Sequence, residues 1–460
     1  MTELSEKELF ETVPVPRAVA RLIVPTIISQ IVTVIYNLAD TFFIGRMGDP
    51  AMTAGATLVS PWFNLLTALS NLVGIGGISV MDKFLGRHEY DEVKKVSSFS
   101  FWAGVVITAV FCGLTLVFAG PLLSLLSIAA ADAEGAALDY AYTYMLWTVI
   151  IGGLPTSLAM TLAHFLRGEG QAKKASAGMM LGGFLNIGLD PLFMFAFGMG
   201  FAGAGIATAL SNLISFAFLL GVFLHGRKAS TMSVSPRWFS FRYAGKVFSV
   251  GLSAAFTTLL ANVVFMIINI LSYGYGNEAV SAYGIVKRLD QIPLGMSLGL
   301  SQGVMPLIAY NYGSGDYARL KRVSVFSWIL AAILSAVCVV LFETLAPYIA
   351  RLMLDDEDTV PLTTNFLRIA CTAVPFTSVN ALVMYFFQAM GKGTQATILA
   401  VCRQGALNIP MLFLMNALVG LYGMIWVQLI IEVIMLPFML GMYFYTMKKL
   451  GANRKKEAVK

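Results

Sequence analysis

The chain has 460 residues, of which 58% are apolar and only 12% are charged, and its net charge is +6 at pH 7. The charged fraction is about half that of an ordinary soluble domain, which is too small to cover the surfaces of a soluble protein of this length. Composition therefore excludes a cytosolic enzyme, a secreted disulfide scaffold and a nucleic-acid-binding domain, and it predicts an integral membrane protein.

Hydropathy predicts twelve membrane-spanning helices. Each has the length that a span needs, which is about 20 apolar residues. They cover residues 17–44, 52–80, 93–119, 136–163, 171–197, 202–226, 243–273, 279–310, 317–345, 360–388, 394–417 and 419–447. The acidic N-terminal stretch MTELSEKELFE does not have the basic region and short apolar core of a cleavable signal peptide. The remainder of the chain leaves no room for a large soluble domain.

Lys and Arg are distributed unequally between the two sides of this predicted bundle. Only Arg46 and Arg351 lie in loops on one side, beside acidic residues such as 355–358. Four basic residues lie inside spans, and all the others fall in loops and tails on the opposite side. By the positive-inside rule that opposite side is cytoplasmic, so both termini are predicted to be cytoplasmic. Two termini on one side agree with an even number of spans.

Polar residues follow one face of each of the first two helices. They are Gln30, Thr33, Asn37, Asp40 and Thr41 in the first helix, and Ser60, Asn64, Thr67 and Asn71 in the second. At helical spacing such stripes either line a cavity or form hydrogen bonds between helices, and the sequence leaves both readings open. Pro25, inside the first helix, removes one backbone hydrogen bond and allows a bend.

The chain contains an internal repeat. Residues 86–100 align without gaps to residues 313–327, at an offset of 227, and the matches include Gly86/Gly313, Tyr90/Tyr317 and Lys94/Lys321. Shorter matches join Gly48 to Gly276, Gly168-Glu169-Gly170 to Gly391-Lys392-Gly393, and Leu185-Asn186-Ile187 to Leu407-Asn408-Ile409. Matched polar loops favour duplication over chance similarity of composition.

The repeat predicts two six-helix lobes that enter the membrane in the same direction, around a central cavity. We divide the chain into a cytoplasmic segment 1–16, an N-lobe 17–226, a cytoplasmic linker 227–242, a C-lobe 243–447 and a basic cytoplasmic tail 448–460. Lobes of this kind rock against each other around a substrate site. The alternative is a static bundle, such as an anchor or a channel scaffold.

Asp40 and Asp190 are the acidic residues of greatest interest, because ionisable groups at membrane depth are costly and usually functional. Asp190 follows Asn186 by four residues, so the two share a face of the fifth helix. Both aspartates are predicted to lie in the outer half of the same lobe. Two such carboxyls could hold a proton, or a cation if both are ionised. The alternative is that each caps a helix end near the interface.

The C-lobe has no matching acidic pair. Its ionisable residues inside spans are Lys287, Arg288, Asp290, Arg368, Arg403 and Glu432. Lys287 or Arg288 with Asp290 is most simply an ion pair, although the basic groups could instead contact an anionic substrate. The three histidines are predicted at cytoplasmic helix ends, and the four cysteines, without metal-ligand spacing, as buried thiols.

Several motifs together resemble those of the multidrug and toxic compound extrusion (MATE) family, closest to its DinF-like branch. They are Pro25…Asn37-Leu38-Ala39-Asp40-Thr41…Gly45-Arg46-Met47-Gly48, the loop glycines Gly86 and Gly313, Asn186-Ile187-Gly188-Leu189-Asp190-Pro191, and Arg403-Gln404…Pro410. The resemblance covers essentially the whole chain. It implies a secondary antiporter of a prokaryotic cytoplasmic membrane, which exports amphipathic and cationic organic compounds in exchange for protons or sodium.

The resemblance also implies a coupling-ion site in the N-lobe, at Asp40, Asn186, Asp190 and Thr208. Members with a C-lobe acidic cluster carry a carboxylate on the seventh helix, where this chain offers Thr257, Thr258, Asn262 and Asn269. We therefore expect coupling to depend on the N-lobe. For a substrate cavity between the lobes, soft apolar side chains suit varied ligands. The candidates are Tyr36, Asn64, Met266, Met296 and Phe387.

The main alternative function is a flippase for a lipid-linked glycan or another lipid-like substrate. A cavity for a pyrophosphate would need several Arg and Lys, and the N-lobe polar face has none. We expect no catalytic residues, no cofactor and no metal, apart from the alternative of a sodium ion at Asp40 and Asp190. The expected partners are small amphipathic drugs or toxic organic compounds and membrane lipids, without nucleic acid, and we expect a monomer.

Overall fold

The computed structural model describes residues 6–129, 135–226, 230–353 and 359–458. Parts of the predicted terminal segments, linker residues 227–229 and the acidic residues 355–358 lie outside this description. The described residues form long helices joined by short irregular segments. Ten helices are long and apolar enough to cross a membrane, and two further spans are bent pairs. The predicted all-helical membrane fold with twelve spans is therefore confirmed.

The twelve spans follow one another with short connections, after a short helix Glu6–Glu11. They are α1 (Val15–Gly45), α2 (Pro50–Leu85), α3 (Tyr90–Ala129), α4 (Gly135–Ile151 and Gly153–Gly168), α5 (Ala172–Ala196), α6 (Gly200–His225), α7 (Ala244–Tyr273), α8 (Asn277–Gly313), α9 (Tyr317–Met353), α10 (Thr359–Thr372 and Val374–Ala389), α11 (Gly393–Val419) and α12 (Leu421–Ala458). We call α1–α6 the N-lobe and α7–α12 the C-lobe. The basic face is the side that holds loops 86–89, 169–171, 226–243, 314–316 and 390–392.

The fourth helix of each lobe is broken at an equivalent place. α4 bends by 45° at Gly152, and α10 bends by 41° at Ala373. The turn before the break in α4 is a π-helix, Leu146–Ile151. In α10, Pro375 occupies the first turn after the break. π-turns and prolines interrupt the regular hydrogen-bond ladder of a helix, which accounts for the bends.

One of the sequence matches between the lobes is wrong by two residues. Gly170 follows α4 with a φ of 79°, and Gly391 follows α10 with a φ of 70°. This left-handed conformation suits glycine just beyond a helix C-terminus. Gly170 is therefore equivalent to Gly391, whereas the sequence paired Gly168 with it. A π-turn in α11, Cys402–Ala406, then adds one residue, so the match of Asn186 to Asn408 stands.

The two lobes meet along two equivalent helix pairs, α2 with α7 and α1 with α8. At the basic face, a methyl group on Gly86 would collide with the carbonyl of Tyr310, and one on Gly313 would collide with the carbonyl of Lys83. Both members of the second contact are related to the first by the repeat offset of 227. The repeat thus packs against itself around a pseudo-two-fold axis, as parallel repeats do.

This contact surface, which we call the seam, is made largely by main chain. A methyl group on Gly76 would collide with the carbonyl of Val247, and one on Gly251 with the carbonyl of Leu72. The buried Ser79 hydroxyl donates a hydrogen bond across the seam to the carbonyl of Gln388. Such close approach of helices requires small residues at the interface. The lobes are therefore tightly closed against each other at the basic face.

The linker is fixed to the N-lobe. The carboxylate of Glu169, between α4 and α5, accepts hydrogen bonds from the N–H groups of Thr231 (3.0 Å) and Met232 (3.2 Å). The indole N–H of Trp102 donates to the carbonyl of Val234 at 3.0 Å. Burial raises the pKa of Glu169, and the hydrogen bonds from the linker oppose that shift. The linker therefore packs as a part of the N-lobe rather than hanging free between the lobes.

Candidate functional site

Asp40 lies near the end of α1 that is away from the basic face. Its Oδ2 accepts a hydrogen bond of 2.9 Å from the hydroxyl of Tyr144, on α4. Its Oδ1 is buried and has no hydrogen-bond partner among the described residues. α1 continues as a regular helix through Pro25 up to Gly45. Asp40 is thus held by one neighbour and keeps one oxygen free.

Asp190 is fully buried at the corresponding level of α5. The amide of Asn186, one helical turn earlier, donates to Asp190 Oδ1 at 3.3 Å and to the hydroxyl oxygen of Thr208 on α6 at 3.2 Å. Asp190 Oδ2 and Asn186 Oδ1 have no partner among the described residues. The structure therefore brings together three of the predicted coupling residues on α5 and α6.

Tyr144 joins this group to Asp40. Its ring lies close enough to Asp190 and Thr208 to interact with both, besides its hydrogen bond to Asp40. We call Asp40, Tyr144, Asn186, Asp190 and Thr208 the acidic cluster. Four helices of the N-lobe supply it: α1, α4, α5 and α6. Two of these helices, α4 and α5, contain π-turns directly after the cluster residues, and such turns occur often at functional sites.

The acidic cluster has the chemistry of a site for a proton or a small hard cation. Three of its oxygens, on Asp40, Asn186 and Asp190, are buried and have no described partner. Buried polar atoms without partners are costly, so each calls for a ligand, a proton or a water. Oxygen atoms are the ligands that hard cations prefer. In the described part of the chain, no group of three His, Cys, Asp or Glu side chains is arranged to hold a metal ion.

The acidic cluster lies on the open side of the seam. Among hydrogen bonds between described residues of different lobes, those farthest from the basic face join Asn64 to Asn262 (2.6 Å) and Gln30 to Gln302 (3.2 Å). Gln30 is halfway along α1. At a rise of 1.5 Å per residue, Asn64 is about 20 Å from Pro50, the end of α2 that is away from the basic face. Asp40 lies beyond both, about 8 Å from the end of α1. The cluster is thus separated from the basic face by the closed seam.

The predicted cavity residues are placed differently from one another. Tyr36 packs beside Gly183 on α5, next to the acidic cluster, and Asn64 is at the seam. Met266 is 49% exposed. In this conformation Phe387 has no exposed surface, because it packs in the core against Phe386. Met296 lies inside the C-lobe, where the thiol of Cys338 contacts its sulfur.

Three of the four basic residues inside C-lobe spans have acidic partners. The guanidinium of Arg403 pairs with Glu432 at 2.5 Å, and both side chains are buried. Lys287 pairs with Asp290 at 3.5 Å, as the sequence predicted, and Arg368 pairs with Glu343 at 3.5 Å in a more exposed position. These charges are used within the lobe, which disfavours a cavity built to receive an anion.

Sequence reasoning did not single out two polar residues, Tyr144 and Asp82, and did not predict the burial of His164. Tyr144 was not singled out, because its role depends on a contact with Asp40 across 104 positions of chain. Asp82, at the basic end of α2, is 1% exposed and neither carboxyl oxygen has a described partner. His164 lies near the helix end where it was predicted, but it is only 3% exposed and packs against Gly74. Three of the four cysteines are buried free thiols, as predicted, whereas the free thiol Cys402 is partly exposed.

Comparison with known proteins gives consistent results. The profile of the MatE family matches residues 25–192 and 253–414. The multidrug export protein MepA of Staphylococcus saprophyticus is 33% identical over 425 residues, which are 92% of each chain. A MATE structure in complex with MaL6 has a TM-score of 0.89 and 21% identity over 97% of this chain and 100% of that one. An outward-facing MATE family transporter has a TM-score of 0.88 and 22% identity over 98% and 100%.

Proposed function

Because the chain belongs to the MatE family, we propose that it exports amphipathic and cationic organic compounds across a prokaryotic cytoplasmic membrane by alternating access, in exchange for protons or sodium ions. The similar MepA protein of Staphylococcus saprophyticus is named a multidrug export protein. The observation that carries the coupling proposal is the acidic cluster, with three buried oxygens that lack described partners.

In this proposal the basic face is cytoplasmic, because cytoplasmic loops carry the excess of Lys and Arg. The closed seam then separates the acidic cluster from the cytoplasm, and the conformation is outward-facing. A coupling ion enters the cluster from outside and neutralises Asp40 or Asp190. Neutralisation removes the cost of burying charge, so the helices that carry the cluster repack and drug binding weakens. The loaded carrier then returns to its inward-facing state.

The energy available from one ion is sufficient for useful export. A membrane potential of 100 mV supplies about 2.3 kcal/mol per charge, and a difference of one pH unit supplies about 1.4 kcal/mol. Since each 1.4 kcal/mol corresponds to about a tenfold concentration ratio, one proton exchanged for a neutral drug sustains a gradient of tens- to hundreds-fold. One proton exchanged for a monovalent cationic drug moves no net charge, so only the pH difference contributes, about tenfold per pH unit. No soluble ATP-binding domain is needed.

A flippase for a lipid-linked glycan is the second candidate, and the C-lobe ion pairs argue against it. A pyrophosphate needs unpaired cations in the cavity, whereas Arg403, Lys287 and Arg368 are each paired with a carboxylate. In the N-lobe the polar residues at the corresponding depth are acidic or neutral. A drug-like organic cation is a better match for this distribution of charge.

The proposal is tested by ethidium efflux from proteoliposomes under separately imposed pH and sodium gradients. We expect one of the two gradients to drive efflux by the native protein. Asp40→Asn and Asp190→Asn should each abolish gradient-driven efflux, because Asn is nearly isosteric but cannot take up a proton. Thr41→Val is a matched control, since its hydroxyl bonds only to its own helix at the carbonyl of Asn37.

Two controls make the result decisive. Equal elution and equal thermal unfolding of the variants would show that they remain folded. Full gradient-driven efflux by the Asp40→Asn/Asp190→Asn double variant would refute coupling through the acidic cluster. The flippase would be favoured instead if the native protein exported no ethidium but translocated a fluorescent lipid-linked glycan.

A further inference from the structure

A cavity of about 420 Å³ lies between the two lobes at the basic face, far from the acidic cluster. Lys83 and Arg87 line it from the N-lobe, and Gly245, Lys246 and Gly391 line it from the C-lobe. Because its walls come from both lobes, the cavity exists in this form only while the seam is closed. A ligand that fills it would contact both lobes at once.

The cavity concentrates positive charge. The ammonium group of Lys83 lies in the fields of Arg87, Lys246 and Lys392. None of these four residues forms an ion pair with a carboxylate in the described part of the chain. Burial and the nearby charge of Lys449 lower the pKa of Lys392. Like charges held this close in a partly dehydrated space repel one another strongly, so the arrangement favours a bound anion.

Packing keeps these cations in the cavity. The ammonium of Lys83 donates to the carbonyl of Met390 at 3.4 Å and lies 5.3 Å from the centre of the Tyr312 ring. The ammonium of Lys246 lies 5.6 Å from the centre of the Phe84 ring. Cation–π contacts of this kind fix the orientation of a lysine side chain. The charges therefore converge on the cavity instead of spreading into solvent.

Two helix N-termini lie at the edge of the same cavity. α11 begins at Gly393, and the preceding Lys392 forms no side-chain cap. α7 begins at Ala244 directly after a 3-10 turn, Phe241–Tyr243, and the N–H of Ala244 donates to the carbonyl of Phe241. The free N–H groups and the dipole of a helix N-terminus attract anions, particularly phosphates. At Gly245, in the first turn of α7, no atom stands within 4 Å of the place a β-carbon would take. An anion can thus approach the main chain there without obstruction.

The cavity is at the level of lipid head groups. Just before α7, the side chains of Phe239 and Phe241 are 36% and 75% exposed. Exposed aromatic residues beside a span are typical of the membrane interface. Anionic head groups collect near basic residues at this depth, by about 1 kcal/mol per Lys or Arg. A phospholipid phosphate can therefore reach the cavity from the side, and a soluble phosphate can reach it from the water.

We propose that this cavity binds a phosphate-bearing anion, which bridges Lys83 and Arg87 of the N-lobe to Lys246 of the C-lobe and holds the basic face closed. The head group of an anionic phospholipid and a free phosphate share the required chemistry. The site is independent of the acidic cluster, and its binding does not depend on the export proposed above.

Thermal unfolding of the purified full-length protein in neutral detergent, followed by tryptophan fluorescence, tests the site. The probes are inorganic phosphate and dihexanoyl phosphatidylglycerol. Sodium chloride at equal ionic strength and dihexanoyl phosphatidylcholine are the references. We expect a saturable rise of several degrees in the unfolding temperature, as for any ligand of the folded state. The apparent affinity should fall at least tenfold in Lys83→Gln/Lys246→Gln and be unchanged in Lys321→Gln/Arg322→Gln, which removes two exposed charges of the same face.

The two probes distinguish the sources of the anion. A response to phosphatidylglycerol alone assigns the site to lipid, and a response to inorganic phosphate as well assigns it to any phosphate of suitable size. Equal stabilisation by sodium chloride, or an unchanged response in Lys83→Gln/Lys246→Gln, would overturn the proposal. If that variant does not fold, Ser79→Cys in the otherwise native protein reports on the seam. The anion should slow its labelling by a thiol reagent at least tenfold, and an unchanged rate would equally overturn the proposal.

Discussion

Tyr144 is the one described residue that donates a hydrogen bond to Asp40, and it also interacts with Asp190 and Thr208 of the acidic cluster. A hydrogen bond to an ionised group contributes about 1.5–3 kcal/mol. Its loss in Tyr144→Phe leaves ionised Asp40 less stable, so release of a proton from Asp40 requires a higher pH. If the coupling ion is a proton, we expect the pH profile of ethidium efflux to move upward by about one unit or more.

Tyr142→Phe is the matched control for this prediction, since Tyr142 is on the same helix and is 42% exposed. Its pH profile should coincide with that of the native protein. An unshifted profile in Tyr144→Phe, measured across imposed gradients of equal size, would contradict the role given to its hydroxyl.

Arg403 and Glu432 form the most buried ion pair among the described residues, with further hydrogen bonds to Glu432 from Asn380 (2.7 Å) and Gln428 (2.8 Å). In Arg403→Gln the carboxylate stays buried without its counter-charge. We expect the free energy of unfolding to fall by about 3–5 kcal/mol, as measured by denaturation in mixed detergent micelles.

Lys94→Gln provides the comparison, because Lys94 and Asp91 lie at the basic end of α3 and are 33% and 70% exposed. An exposed pair contributes about 0–1 kcal/mol, so this variant should unfold almost as the native protein does. Equal destabilisation of the two variants would show that burial does not decide the value of these pairs.

At the residue scale, sequence reasoning identified Asp40, Asn186, Asp190 and Thr208 and missed Tyr144. The i, i+4 spacing of Asn186 and Asp190 is visible in the chain, whereas a tyrosine in an apolar helix reads as core or interface. The burial of Phe387 in this conformation could not be predicted for a related reason: hydropathy does not say which side of a buried helix faces a lobe interior. The roles of the acidic cluster and of the cavity residues stay predictions.

At the scale of helices, the seam between α2 and α7 depends on glycines. A methyl group in Gly251→Ala would meet the main chain of Leu72, which cannot move aside as a flexible side chain can. Overpacking of this kind costs about 1–3 kcal/mol. The ratio of the closed to the open state of the seam should therefore fall by about five- to a hundredfold. We expect labelling of Ser79→Cys at the seam to accelerate by a similar factor.

Gly221→Ala, near the C-terminal end of α6, is the control, because no atom lies within 4 Å of the added methyl position. Both changes favour helix equally, so only the contact differs. Equal labelling rates of Ser79→Cys in the Gly251→Ala and Gly221→Ala backgrounds would contradict the expected opening of the seam by overpacking.

Helix-scale features were predicted unevenly. The spans follow from the length of apolar runs, and their boundaries agree with the structure to within a few residues at most ends. The breaks at Gly152 and Ala373 and the π-turns were not predicted. A π-turn adds one residue without changing the apolar pattern, so the register between the lobes shifts unseen. The match of Gly168 to Gly391 was wrong for another reason: both loops contain a Gly-x-Gly pattern, and only the structure shows that Gly170 and Gly391 share the left-handed conformation.

At the scale of the whole molecule, the distribution of Lys and Arg predicts the orientation of the protein in the membrane. We expect Arg242→Cys, in the linker beside the exposed Phe241, to react with a membrane-impermeant thiol reagent only in inverted vesicles. Tyr275→Cys, between α7 and α8 and 43% exposed, should react only from outside intact cells. The native cysteines should contribute little labelling, because three of the four are buried. The partly exposed Cys402 is replaced in both variants. Labelling of Arg242→Cys from outside would reverse the proposed orientation.

The twelve-helix architecture could be predicted almost entirely from composition, because the membrane allows few alternatives to a helix for a spanning segment. The pairing of α2 with α7 and α1 with α8 could not be read from the sequence, although the duplicated loop around Gly86 and Gly313 already contained the two contacts that define it. Which state of the transporter the chain would adopt also lay beyond the sequence.

The main-chain nature of the seam has a consequence for evolution. Drug recognition depends on side chains, which change with every substitution, whereas the seal at the basic face depends on carbonyl groups and on the absence of side chains at Gly76, Gly86, Gly251 and Gly313. Substitutions that widen or reshape the drug pocket therefore leave the seal intact. A lineage under changing chemical attack can explore new specificities without first acquiring a leak.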